Sequence, residues 1–152
     1  MTQLVILVAV LVAAGGVGVL VRRREGRVRT TAADTASASR DAARTALLSA
    51  VGVGAAAPAV LHFSAEWCGP CAAVRRVVHG VVSDLAQAQS PPLDIEVDID
   101  AEPALARELN VLSLPTTFVF DARGRERFRI SGVPKSSDLH SAVAPLTLQD
   151  AA

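Results

Sequence analysis

The chain has 152 residues, with 15 basic against 15 acidic side chains, 51% hydrophobic residues and only two cysteines, enough for one domain of roughly 100–200 residues and a modest extra segment. That apolar content excludes a wholly disordered chain, and the zero net charge excludes a general nucleic-acid binder, which needs a basic surplus to neutralise phosphates. Two cysteines build neither a disulfide-dense miniprotein nor a four-thiolate zinc site.

Leu4 to Val21 carries no charged or polar side chain over 18 residues, a helix of about 27 Å set against a hydrocarbon core of about 30 Å. The expectation is a transmembrane anchor over residues 1–22. The other readings are a buried core helix, which seldom stays apolar all round at this length, and a cleavable signal peptide, which expects a basic start where this chain has only Met1-Thr2-Gln3. Arg22, Arg23, Arg24, Arg27 and Arg29 follow the span and no Lys or Arg precedes it. The positive-inside rule then places the rest of the chain in the cytoplasm, as a single-pass membrane protein with the lipid bilayer as a partner. Ala14 and Gly18 form no more of a helix-pairing motif than chance supplies in an Ala/Gly-rich span, so a monomer is expected.

Residues 23–50 read as a basic flank and an Ala/Ser/Thr-rich linker, with Thr30 to Ser39 a tether and Asp41 to Val51 more helical. Residues 51–148 carry the pattern of one compact domain. Ala59 to Ser64 is a short apolar strand. Pro70 to Gln89 is a helix with Val74, Val77, Val78, Val81, Val82 and Leu85 on one face, and Ser90-Pro91-Pro92 stops it. Leu93 to Ile99 alternates apolar and acidic residues as a half-buried strand does, and Glu102 to Leu109 is a short helix with Pro103 at its start. Thr116 to Phe120 and Glu126 to Ile130 flank an Asp121-Ala122-Arg123-Gly124 turn as an antiparallel hairpin, and Ser137 to Leu146 closes the chain as a helix. The order β-α-β-α-β-β-α predicts an α/β fold, a mixed central sheet flanked by helices on both faces, preceded by the N-terminal transmembrane helix.

Chemistry concentrates at Trp67-Cys68-Gly69-Pro70-Cys71. Two cysteines three apart, between a strand and a helix, can close a small disulfide and reopen it. Cys68 lies just ahead of the helix, where unpaired N–H groups and the helix dipole stabilise a thiolate. Cys71 falls in the first turn and is expected to be the more buried, slower nucleophile. Gly69 permits the tight turn and Pro70 fixes the backbone at the helix start without wasting a donor. The chemistry such a pair performs is thiol–disulfide exchange, in which Cys68 attacks a substrate disulfide and Cys71 displaces the reduced product. A structural pair or half a zinc site is the alternative, but His62, His79 and His140 show no ligand spacing, so no metal or cofactor is expected.

Ala65 to Cys71 resembles the active-site signature of thioredoxins, preceded as in that family by an apolar strand ending at Phe63. Val97-Asp98-Ile99-Asp100 is similar to the family's central strand, Leu114-Pro115-Thr116 to its cis-proline loop, and Gly132 stands where the family keeps a glycine after the hairpin. The resemblance runs from about Pro58 to Leu146 and implies the thioredoxin fold, with Pro115 cis and packed against the two cysteines. It also implies that the backbone of Leu114 pairs with an extended substrate segment, while Trp67, Gly69, Pro70, Pro115 and Gly132 shape the docking surface. The chain departs from the family where a buried Asp commonly lies under the cysteines. His62 occupies that position and Glu96 aligns with the partner lysine, so an imidazole and a carboxylate replace the acid–base pair. Here His62 is a candidate to exchange the proton of Cys71, since imidazole titrates near neutrality, with a structural hydrogen bond as the other reading.

The expected activity is that of a membrane-tethered thiol–disulfide oxidoreductase reducing protein disulfides, with disulfide-containing proteins as substrates and an upstream dithiol as electron donor. Two alternatives stand beside it. One is an extracytoplasmic thioredoxin-like reductant for cytochrome maturation, and the other a non-catalytic peptide-binding module on the same fold.

Overall fold

The computed structural model describes residues 33–148. Within them run α1 (Ala33–Ala50), β1 (Ala59–Ser64), α2 (Cys71–Asp84), β2 (Leu93–Asp98), α3 (Pro103–Glu108), β3 (Thr116–Phe120), β4 (Glu126–Ser131), α4 (Ser136–Val143) and a closing 3₁₀ turn, Ala144–Leu148. The chain from Arg40 onward forms one compact unit, and the start of α1 belongs to a separate one.

The four strands lie in the order β2-β1-β3-β4, with β1 parallel to β2 and antiparallel to β3, and β3 antiparallel to β4. Composition explains the order. The two central strands, AVLHFS and TTFVF, are buried along their whole length, as strands covered on both faces require. The edge strands alternate, with Asp94, Glu96 and Asp98 in β2 and Arg127 and Arg129 in β4, charges that blunt an open sheet edge. On one face Leu61, Phe63, Phe118 and Phe120 pack with Leu48 of α1, Leu105 of α3 and Leu109 just after it. On the other, Val60 and Val119 meet Val74, Val78 and Val81 of α2 and Leu139 and Val143 of α4. The mixed sheet with helices on both faces is therefore present as expected.

Three boundaries differ from the sequence pattern. Helix α1 reaches back to Ala33, into the stretch read as a tether, because Ala33, Ala36 and Ala38 offset the weaker helix preference of the Ser and Thr between them. Helix α2 ends at Asp84 rather than Gln89, with Leu85 N–H still bonded to Val81 C=O. Helix α4 gives way to the 3₁₀ turn at Ala144, where Pro145 removes an N–H from the α-helical ladder.

The membrane assignment is corrected. Among the described residues no helix is long and apolar enough to cross a membrane. The one described helix of 18 residues, α1, is interrupted by Arg40, Asp41 and Arg44, each costly in hydrocarbon. Leu4 to Val21, on which the anchor was based, lies outside the described residues. The N-terminal transmembrane helix, the bilayer as partner, the single-pass membrane location and the cytoplasmic topology drawn from the arginine flank are accordingly withdrawn.

The hairpin turn is held by a carboxylate. Asp121 Oδ1 accepts the N–H groups of Arg123 and Arg125, both at 3.0 Å, and Oδ2 accepts Arg125 Nε at 2.8 Å and Arg127 at 3.4 Å. Burial pushes its carboxyl up, but the backbone and guanidinium bonds of Arg125, the Arg123 N–H and Arg127 together hold it below the ordinary range. A depressed carboxyl contributes stability above its unfolded value of about 3.9, and loses that contribution as pH falls through the folded value. Asp121→Asn is therefore expected to destabilise the fold by about 1–3 kcal/mol at pH 7. The gap to the wild type should narrow at about pH 3, which urea unfolding at the two pH values measures.

Candidate active site

The cysteines occupy the turn between β1 and α2. Cys68 N–H bonds to Ala65 C=O at 3.1 Å, and Cys71 N–H bonds to Cys68 C=O at 3.2 Å. Pro70 already has helical angles, φ −71° and ψ −12°, so α2 starts directly behind it. Cys68 and Cys71 are joined by a disulfide with 5.5 Å between Cα atoms. Their surroundings differ as the sequence suggests. Cys71 is 1% exposed, with Sγ 3.9 Å from the carbonyl oxygen of Phe63, whereas Cys68 is half-buried and Gly69 and Pro70 are exposed.

Strand register brings the other predicted residues to the same end of the sheet. Phe63, against which Cys71 lies, pairs with Thr116 at the start of β3, and Thr116 pairs with Ser131 at the end of β4. The Leu114–Pro115 bond is cis, as the resemblance implies. Gly132 N–H donates to Pro115 C=O at 2.9 Å, tying the end of β4 to the proline loop. Gly132 has φ +84°, and a Cβ there would meet nothing within 4 Å. The backbone is thus of a kind that favours glycine and leaves an open surface. Leu114 offers backbone N–H and C=O groups that bond to nothing among the described residues. Trp67 is 71% exposed, and its indole N–H donates to Asp100 Oδ2 at 3.1 Å. A large apolar ring exposed beside the cysteines and held by its polar edge is suited to docking.

His62 sits one residue before Phe63 on β1, 2% exposed, on the sheet face that α2 covers. Its expected neighbour Glu96 is opposite it in the parallel register, but Glu96 turns to Arg75 of α2, whose Nε donates to it at 2.6 Å. Burial raises the Glu96 carboxyl, while hydrogen bonds from Ser64 and Arg75 and the charge of Arg75 outweigh it and leave the group below its ordinary value. His62 instead bonds through Nε2 to Asp94 Oδ1 at 3.2 Å. Asp94 and Asp100 are the two site residues that the sequence reading missed. The acidic alternation of β2 was the available signal for Asp94, without indicating which carboxylate the ring would reach. Among the described residues no group of three or more His, Cys, Asp and Glu side chains is placed to hold a metal ion.

Comparison with known proteins adds a family to this geometry. Residues 45–145 match the family model described as Thioredoxin. The chain is 36% identical to Thioredoxin H2 of Arabidopsis thaliana over 57% of its own length and 61% of that protein's. It is 38% identical to Thioredoxin of Mycolicibacterium smegmatis over 45% and 60%. The chain thus spans about 60% of the length of these relatives. A solved structure of thioredoxin-2, described as a component of malaria parasite protein secretion machinery, superposes with a TM-score of 0.53 at 25% identity, over 59% of this chain and 82% of the other.

Proposed function

The chain belongs to the thioredoxin family, with the Cys68–Cys71 disulfide where a thioredoxin-fold enzyme carries its redox centre, and from that premise we propose that it reduces disulfides of protein substrates by thiol–disulfide exchange. The observation that carries the reading is the asymmetry of the pair, an accessible Cys68 ahead of α2 and a Cys71 that is 1% exposed behind it.

An upstream dithiol first opens the disulfide, taking the oxidised state onto itself. The Cys68 thiolate then attacks one sulfur of the substrate disulfide, forming a mixed disulfide and releasing the other substrate sulfur as a thiolate. Cys71 gives up its thiol proton, and its sulfur attacks Cys68 Sγ. The mixed disulfide breaks, the second substrate thiolate leaves, and the Cys68–Cys71 bond reforms, so two electrons have passed from the protein to the substrate. We assign the proton step to His62, which precedes on β1 the residue whose carbonyl oxygen lies 3.9 Å from Cys71 Sγ. Trp67, Gly69, Pro70, Pro115 and Gly132 shape the groove for the substrate, and the unpartnered backbone of Leu114 pairs with its extended segment.

Reduction of insulin by the protein with dithiothreitol as donor tests this reading. The expected result is turnover by the wild type and none by Cys68→Ser. A His62→Ala variant should be slowed about a hundredfold between pH 6 and 8. A wild type without turnover would replace the enzyme reading with a peptide-binding one, and an unaffected His62→Ala would remove the histidine from the mechanism.

A further inference from the structure

Among the polar groups on the α2 side of the sheet, His62 and Asp94 form a pair with an unequal relation to solvent. The His62 side chain is 2% exposed and the Asp94 side chain 29%, with 3.2 Å between Nε2 and Oδ1. A carboxylate has no hydrogen to give, so in this contact the ring nitrogen must be the donor. A neutral imidazole carries one N–H only. Hydrogen on Nε2 therefore leaves Nδ1 with its lone pair, and Nδ1 becomes the atom of the ring able to accept a proton.

We infer that Asp94 is a positioning residue, which holds His62 as its Nε2–H tautomer and so keeps Nδ1 free to receive the Cys71 proton. This rests on the proton-accepting role of His62 proposed above. When Nδ1 takes that proton, the S–H bond breaks, the sulfur keeps the electron pair, and an imidazolium forms that donates from both nitrogens. The carboxylate then faces a cation instead of a neutral donor, which stabilises the charged ring at the moment of transfer. The ring becomes neutral again by returning the Nδ1 proton to the released substrate thiolate, and the Nε2–H bond to Asp94 is retained throughout.

The surroundings leave Asp94 in that role. Of the other β2 carboxylates on this face, Glu96 is bonded to Arg75 at 2.6 Å and Asp98 Oδ1 accepts the Asp100 N–H at 2.8 Å. Across β3, the cross-strand partner of His62 is Thr117, fully buried with no hydrogen-bond partner for its Oγ1 among the described residues. Ser64, further along β1, is joined to Glu96. The polar groups that register and these contacts place on this face are thus Asp94, Glu96, Asp98, Arg75, Ser64 and Thr117, and the carboxylate bonded to the ring is that of Asp94.

The test pairs a spectroscopic signature with rates, in the full chain. Uniformly ¹⁵N-labelled oxidised protein is recorded by long-range ¹H–¹⁵N correlation across a pH series, in which the two ring nitrogens report tautomer and charge separately, with His62→Ala assigning the signal. The expected result is the Nε2–H tautomer in the wild type, a loss of that preference in Asp94→Ala, and its retention in Asp94→Asn, whose amide oxygen still accepts. Insulin reduction should fall about tenfold in Asp94→Ala, less than on removing the ring itself, and recover in large part in Asp94→Asn. Asp94→Ala with the wild-type tautomer and rate would overturn the inference while leaving the role of His62 intact. A His62→Ala variant with unchanged turnover would overturn both. A wild type that does not turn over would sink the enzyme reading, and the tautomer would then report separately on Asp94.

Discussion

A Cys71→Ser variant is expected to take up a substrate disulfide and fail to release it. Cys68, half-buried at the head of α2, keeps its access to substrate, so the first exchange goes forward and a mixed disulfide accumulates close to one per protein molecule. Resolution is what disappears. In the wild type the second thiol is held 5.5 Å away, Cα to Cα, and well-placed intramolecular groups act at effective concentrations far above those of any added thiol. An external dithiol at millimolar concentration has to replace it, and turnover should fall by roughly a thousandfold or more. Cys68→Ser should behave differently. The remaining sulfur is 1% exposed, so little adduct should form. Mass spectrometry after incubation with a peptide disulfide separates the two. Cys71→Ser turning over at the wild-type rate, or Cys68→Ser forming the adduct, would reverse the assignment of attacking and resolving sulfurs.

The cysteines and the sheet were legible in the sequence because each rests on a local pattern. Apolar continuity marks β1 and β3 as central strands, alternation marks β2 as an edge, and the pentapeptide from Trp67 to Cys71 marks a strand-to-helix turn. What was not legible depends on side chains that choose among competing partners. Parallel register alone sets His62 opposite Glu96, yet Arg75, one turn along α2 from Cys71, takes Glu96 and the ring turns to Asp94. Neither outcome follows from spacing, since Arg75 reads equally well as a solvated helix residue. The same holds for Asp121, which reads as one residue of a turn and in the structure gathers Arg123, Arg125 and Arg127 around one carboxylate. At α1 the difficulty was another one, because Ala, Ser and Thr in alternation fit a linker by composition and a helix by propensity.

Phe118→Ala is expected to be among the most destabilising single changes in the core. Phe118 is fully buried at the centre of the sheet face covered by α1 and α3. Its ring meets Phe63 edge-on at 6.0 Å and stacks with Phe120 at 6.1 Å. The Arg129 guanidinium lies 4.5 Å from the ring centroid, so truncation also removes a cation–π contact. With only four phenylalanines in the chain, this stack supplies the bulk that one face of the sheet requires, and no other aromatic side chain joins it. Truncating a buried phenylalanine costs about 3–5 kcal/mol, and two aromatic contacts place this one toward the upper end. Small domains hold only about 5–15 kcal/mol in all, so the melting temperature should drop by roughly 15 °C or more. Phe118→Leu, which keeps most of the volume, should cost about 1–2 kcal/mol. Arg129→Ala removes the cation and leaves the core filled, at a cost under about 1 kcal/mol. Chemical denaturation of the three variants distinguishes the contributions, and near-equal losses for Phe118→Ala and Arg129→Ala would mean that the cation, not the packed ring, dominates at this position.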